Sequence, residues 1–295
     1  MRVLLTGANG WVGSVITREL LEAGHSVVGL VRSHEKGEAL AAAGGTPLVG
    51  SLGDLDVIRA AATEADGIIH TAFGLDFSKM AELSEEDRKA IETFGEVFAG
   101  SERPIVVTGG LALLPPGESF TEESRPAVIP DFPRASEQTA FALAERGLCA
   151  SVVRLSRSVH GLGERHGFVP MLAAVAREKG VSAYVGDGQN VWLAVHRLDA
   201  ARLFRLALER GGRNEAYHAV AESLPFRLIA EAIGRQVGVP VKSLTPQEAE
   251  AHFGPLATWV AGSGPASSAW TKTTLGWEPR EVGLIADIDR PDYYG

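Results

Sequence analysis

Between Met1 and Gly13 the chain reads MRVLLTGANGWVG, and this stretch restricts the possible folds more than any other. Val3, Leu4 and Leu5 form a short apolar run of the kind a strand buried on both faces needs, and Thr6 to Gly10 break it abruptly. From Trp11 onward Val12, Val15, Ile16, Leu20 and Leu21 recur at helical spacing until Ala23-Gly24, where glycine gives the usual stop. Strand, glycine turn and helix therefore follow one another. Gly7, Gly10 and Gly13 stand three apart, a G-x-x-G-x-x-G turn. Glycine lets the backbone turn tightly and approach a pyrophosphate closely, and the positive end of the next helix attracts its charge. Gly7, Asn9, Gly10, Trp11, Val12 and Gly13 are the expected cradle.

A second buried-type strand, Ser26 to Val31, ends at Arg32, 19 residues past Gly13. In a dinucleotide fold an acid near this point bonds a ribose 2′-hydroxyl, whereas an arginine pairs with a 2′-phosphate. Arg32 and Ser33 therefore favour NADP, with NAD as the alternative cofactor. Further strands are expected at Thr46–Val49, Gly67–His70, Ile105–Thr108 and Ala150–Leu155, with helices between them. Strands alternating with helices predict an α/β fold, a Rossmann-type doubly wound parallel sheet. We expect a dinucleotide-binding domain over residues 1–160. Residues 161–295 are expected to form a smaller mixed α/β substrate-binding lobe without an independent core, residues 195–220 returning to the main sheet. Asp187-Gly188 between apolar alternations predicts a hairpin of Ala183–Val185 with Val191–Val195. The long segment Gly109 to Asp131, with Pro115, Pro116, Pro126 and Pro130, reads as a functional loop.

At 295 residues the chain is long enough for one large domain or a domain with a lobe. A net charge of −9 argues against a nucleic-acid surface, and no apolar run approaches the roughly 20 residues that cross a bilayer. Cys149 is the sole cysteine, which excludes an internal disulfide framework, and the eight histidines lack metal-ligand spacing, so no metal is expected. The first apolar stretch reads as structure, not as a signal peptide, so a cytoplasmic protein acting on a small molecule is expected, as a monomer or a homodimer.

Thr6–Gly13, Asp54-Leu55, His70-Thr71-Ala72, Ser158–Gly161 and Val195–Asp199 together resemble the extended short-chain dehydrogenase/reductase family, the NAD-dependent epimerase/dehydratase type. The resemblance covers nearly the whole chain. It implies that Asp54 and Leu55 border the adenine, that Thr71, Ala72 and Phe73 run beside the ribose and pyrophosphate, and that residues after about 160 contribute to the substrate site. The family's reducing and oxidising members carry Tyr-x-x-x-Lys, in which lysine lowers the phenol pKa so that tyrosine exchanges a proton with the substrate oxygen. None of Tyr184, Tyr217, Tyr293 and Tyr294 has a lysine four residues on; Pro133 and Glu137 stand at the matching places. The chain is thus similar to atypical members that keep the cofactor fingerprint alone.

His160 and Thr108 are the candidate replacements, histidine as a proton shuttle and threonine as a group that polarises a substrate oxygen. A packed turn histidine and a simple strand-end threonine are the alternatives. Phe168, Tyr184 and Trp192, with Phe73, can line a pocket for an apolar substrate, or belong to the core. Glu137 is a candidate partner for Arg157, and Asp199 a helix N-cap beside His196. Three functions remain open from sequence: an NADP(H)-dependent oxidoreductase of a small carbonyl compound with a non-standard proton donor, a redox-silent NADP(H) sensor, and an epimerase or lyase.

Overall fold

The computed structural model describes residues 1–74, 77–111, 119–125 and 133–294. Pro115, Pro116, Pro126, Pro130 and Phe132 lie outside the described residues. The first part alternates β1 (Arg2–Thr6), α1 (Gly13–Glu22), β2 (Ser26–Val31), α2 (His34–Ala42), β3 (Thr46–Val49), α3 (Leu55–Thr63), β4 (Gly67–His70), α4 (Met80–Phe98), β5 (Ile105–Gly110), α5 (Ser136–Glu145) and β6 (Ala150–Leu155). Then come β7 (Ser158–His160), α6 (Phe168–Lys179), β8 (Ser182–Val185), β9 (Val191–His196), α7 (Arg197–Arg210), β10 (Ala216–Ala219), β11 (Glu222–Pro225), α8 (Phe226–Val237) and β12 (Val241–Leu244). The chain closes with α9 (Pro246–Phe253), α10 (Ala257–Ala261), α11 (Ala269–Leu275) and α12 (Leu284–Ile288). No described helix is long and apolar enough to cross a membrane.

Seven parallel strands form one sheet in the order β3-β2-β1-β4-β5-β6-β10. The apolar runs explain why it is covered on both faces. Along β1, Val3 and Leu5 face one helical layer with Ile16, Leu20 and Phe204, while Leu4 faces the other with Ile58, Ile91 and Phe94. The strand order reverses between β1 and β4, which opens a crevice at the carboxyl ends of the strands, the place where ligands bind in sheets of this kind.

The expected hairpin does not form. Gly186 and Gly188 do turn the chain, with φ of +61° and +67°, but β8 pairs in parallel with β12, and β9 lies between β11 and β7. The Asn190 amide donates to the carbonyls of Val260 and Gly262, which fixes β9 to the C-terminal segment instead of to β8. This part of the chain also builds an apolar cluster of its own around Trp192, Phe226, Ile229 and Tyr293, where the sequence suggested none.

Candidate functional site

Gly7 sits at φ +71°, and a Cβ there would lie 2.8 Å from Thr71 Oγ1 and 2.9 Å from the Ala72 amide nitrogen. Any side chain would therefore drive apart the loops that follow β1 and β4. The Gly10 amide donates to the Gly7 carbonyl at 2.9 Å, and a Cβ on Gly13 would be 2.0 Å from that same oxygen. The first turn of α1 holds no acidic side chain, so its positive end faces the crevice without an internal counter-charge. A pyrophosphate fits such a cradle, because only glycine leaves room for the backbone to approach it.

The cleft above this turn has a volume of about 440 Å³. Of the residues expected from sequence, Gly7, Asn9, Gly10, Trp11, Val12, Gly13, Arg32, Thr71, Ala72 and Phe73 line it, and so does Thr108. Arg32, at the end of β2, is exposed and has no hydrogen bond or ion pair among the described residues. Ser33, Asp54 and Leu55 are not in the lining. The Ser33 hydroxyl accepts the Lys36 amide and caps α2. Asp54 accepts the Ser51 amide at 2.7 Å and the Ser51 hydroxyl at 2.8 Å, bonds that hold its carboxyl below the usual range. The residues brought to the cleft are instead Gly50, Ser51 and Leu52, and Leu55 packs into the helical layer beneath. The Ser-x-x-Asp turn was the available signal for that displacement.

Beneath the cleft runs a buried polar chain that local spacing did not suggest. Thr6 Oγ1 accepts the amides of Thr71 and Ala72 at 3.2 and 3.3 Å and lies 2.8 Å from His70 Nδ1. With its lone pairs so used, the Thr6 hydroxyl donates to Nδ1, which puts the ring proton on Nε2, 2.9 Å from Asp87 Oδ1. Ser136 donates to Asp87 Oδ2 at 2.6 Å and accepts Arg134 Nε at 2.8 Å. Arg134 Nη2 donates to the Thr108 carbonyl at 3.1 Å, its guanidinium 4.1 Å above the Phe73 ring. Burial works against the Asp87 charge, but the hydrogen bonds of His70 and Ser136 and the charge of Arg134 outweigh it and leave the carboxyl below its ordinary range.

A family model described as NAD(P)H-binding matches residues 7–169. The chain belongs to that family. It is similar to an uncharacterized protein of Schizosaccharomyces pombe, 47% identical over 296 residues and covering 100% of both chains. It is also similar to the decarboxylating sterol-4-alpha-carboxylate 3-dehydrogenase of Dictyostelium discoideum, 26% identical over 257 residues, 82% of this chain and 78% of that protein. Among solved structures, a dTDP-glucose 4,6-dehydratase from Streptomyces venezuelae with NAD bound matches with a TM-score of 0.77 at 20% identity, over 100% of this chain and 96% of that one. The architecture of this NAD(P)H-binding protein is that of the extended short-chain dehydrogenase/reductase and epimerase/dehydratase fold.

Several expected groups take other places in this family member. His160 is 1% exposed, with Nδ1 2.7 Å from Asp287 Oδ2 and its ring edge-on to His196 at 5.3 Å, and it does not line the cleft. Its strand still adjoins the glycine turn, since Trp11 Nε1 donates to the Val159 carbonyl at 2.7 Å. Trp192 is fully buried and donates to Ser158 Oγ, Phe168 packs edge-on to it at 5.6 Å, and Tyr184 lies beside the same cluster. None of these three lines the cleft, because Trp192 belongs to the core of the C-terminal lobe and Phe168 and Tyr184 pack against that core. Glu137 pairs with Arg154, not with Arg157, whose Nη1 donates to the carbonyls of Trp259 and Gly262. The N-cap of α7 is His196, which accepts the Leu198 amide, while Asp199 is buried and accepts the amides of Arg280 and Glu281.

Proposed function

We propose that the chain is an NADP(H)-dependent oxidoreductase acting on a small carbonyl compound. The observation that carries the cofactor choice is the Arg32 guanidinium at the end of β2, without a hydrogen bond or ion pair among the described residues, in the place where a 2′-phosphate would lie. The glycine turn and the end of α1 hold the pyrophosphate, and Ser51 and Leu52 border the adenosine end. The bound nicotinamide supplies or accepts a hydride. Thr108 stands at the opposite end of the cleft from Arg32, and since Oγ1 already donates to the His70 carbonyl at 2.8 Å, it meets a substrate hydroxyl as an acceptor. A distant relative is named as a dehydrogenase acting at carbon 3 of a sterol carboxylate, which supports redox chemistry at a carbon-borne oxygen.

One observation favours a second reading, a redox-silent NADP(H) sensor: His160, the expected proton carrier, is bonded to Asp287 outside the cleft lining. Fluorescence titration of NADPH and NADH tests the cofactor choice. Arg32→Asp is expected to weaken NADPH binding about 10- to 100-fold, roughly 1.4 to 2.7 kcal/mol, with NADH changed by less than about twofold. Equal losses for both cofactors would overturn it. NADPH consumption across a panel of ketones, aldehydes and oxo acids separates the enzyme from the sensor, which binds the cofactor without turnover.

A further inference from the structure

Arg134 is half-buried, yet no carboxylate pairs with it among the described residues. Its two hydrogen-bond acceptors are neutral, the Ser136 hydroxyl and the Thr108 carbonyl, and its face lies on Phe73. Arg157 and Arg197 likewise have no carboxylate in ion-pair contact among the described residues, Arg157 donating to the carbonyls of Trp259 and Gly262 and Arg197 lying over Trp11, but most inward arginines differ. Arg154 meets Glu137, Arg202 meets Asp199 and Glu281, Arg205 meets Glu19 and Glu209, and Arg103 fills its fork with backbone carbonyls including those of Ala65 and Val97. Arg134 Nη1 has no hydrogen-bond partner among the described residues. The charges of Asp87 and Glu137 act on this guanidinium only from beyond ion-pair distance, and a partly desolvated guanidinium that touches no carboxylate has hydrogens left to offer an anion.

Two further facts place that anion. Arg134 lies behind Phe73 and Thr108, which both line the cleft, and Thr108, within β5, and Leu155, the last residue of β6, lie across the sheet from Arg32 at the end of β2. With the 2′-phosphate at Arg32 and the pyrophosphate at the glycine turn, this is the nicotinamide end. The guanidinium is also held in place: Nε is clamped by Ser136, which is fixed by Asp87, His70 and Thr6 in a buried line that begins on the cofactor strand. The neighbouring acid, Glu137, is engaged by Arg154 Nε at 3.0 Å.

We infer that Arg134 is a substrate-anion site, which takes a carboxylate carried by the substrate, so that the molecule reduced or oxidised is an oxo or hydroxy acid and not a simple ketone, aldehyde or alcohol. The inference rests on the NADP(H) oxidoreductase reading, because it defines the substrate by its place beside the nicotinamide. Arg134 binds and orients. The planar fork offers Nη1 and the second Nη2 hydrogen to two carboxylate oxygens, the geometry in which arginine discriminates best against an uncharged ester.

The test uses matched probes, acetoacetate against methyl acetoacetate and 2-oxobutanoate against its methyl ester. Each is titrated into the full-length protein saturated with NADPH, with bound-cofactor fluorescence and NADPH oxidation as readouts. At least one free acid is expected to bind about tenfold or more tightly than its ester. With NADPH kept saturating for each variant, Arg134→Gln is expected to abolish the preference by weakening the acid and not the ester, and Arg134→Lys to keep part of it. Ser136→Ala, which releases the clamp and leaves the charge, is expected to weaken the acid less than Arg134→Gln, and it serves as the second variant if Arg134→Gln does not fold. The inference is overturned if the native protein prefers neither acid, or if the preference survives in Arg134→Gln or, where that variant does not fold, is unchanged in Ser136→Ala. NADPH that fails to bind the native protein refutes the cofactor reading instead, so the two failures are distinct.

Discussion

Two buried histidine–aspartate pairs lie on either side of the glycine turn, and they differ in where their bonds lead. His70 and Asp87 are fully buried, 2.9 Å apart, and each Asp87 oxygen has a donor, His70 for one and Ser136 for the other. The line continues at both ends to cleft residues, through Thr6 to the amides of Thr71 and Ala72, and through Arg134 to Thr108. His160 and Asp287 are as deeply buried at 2.7 Å, but Asp287 Oδ1 has no hydrogen-bond partner among the described residues and the neighbours are His196, Glu164 and Tyr293, groups of the C-terminal lobe. A buried histidine with a carboxylate is therefore no mark of chemistry by itself. The first pair supports the floor of the cleft, and the second ties α12 to β7.

The largest effect that separates them is expected at Asp87. Asp87→Ala strands His70 and Ser136 and removes the charge that helps hold Arg134, at a cost of about 3–5 kcal/mol by urea denaturation, with weaker NADPH binding as the cleft floor loosens. Asp287→Ala also strands a buried histidine, but one of its oxygens is already unpartnered, and a loss of about 1–3 kcal/mol is expected with NADPH affinity unchanged. If both variants move NADPH affinity alike, the two pairs do not differ in the way their bonds suggest.

The legible parts of the sequence were those whose physics is local. Gly7 and Gly13 had to be glycine because of a positive φ and a close carbonyl, and Val3–Leu5 had to be buried on both sides of a sheet. The cleft's glycine turn and Arg32 followed from that. The residues beneath were not legible, since His70 meets Thr6 across 64 positions and Asp87 across 17, and Ser136 meets Asp87 across 49. His160 was misleading for the same reason: the turn that carries it resembles a site, while its partner, Asp287, stands 127 residues away. Asp199 reads as a cap from residue type, whereas its carboxylate accepts the amides of Arg280 and Glu281, which only the folded chain brings near.

The smallest expected effect sharpens the contrast through pH. Burial is the main cause that raises the Glu164 carboxyl from its ordinary value to about 8, with the nearby Asp287 charge adding to it, against the lowering influence of the Tyr293 hydroxyl bond and Arg197. Between about 4.5, the unfolded value, and about 8 the folded chain keeps a proton that the unfolded chain has lost. The native state then binds more protons than the unfolded one, so the stability owed to Glu164 falls as pH rises through that window and is level above it. Asp87 has the opposite sign: its lowered carboxyl supports the fold above its ordinary pKa of 3.8 and is lost only as pH falls below that. Glu164→Gln cannot titrate, and its amide oxygen can still accept the Tyr293 hydroxyl. Melting temperatures of the two proteins are therefore expected to lie close at pH 5 and to separate toward pH 8 in favour of the variant, with cofactor affinity equal throughout. Parallel curves would mean that Glu164 is ionised in the folded chain at neutral pH, and the second cluster would then carry a further buried carboxylate charge beside Asp287.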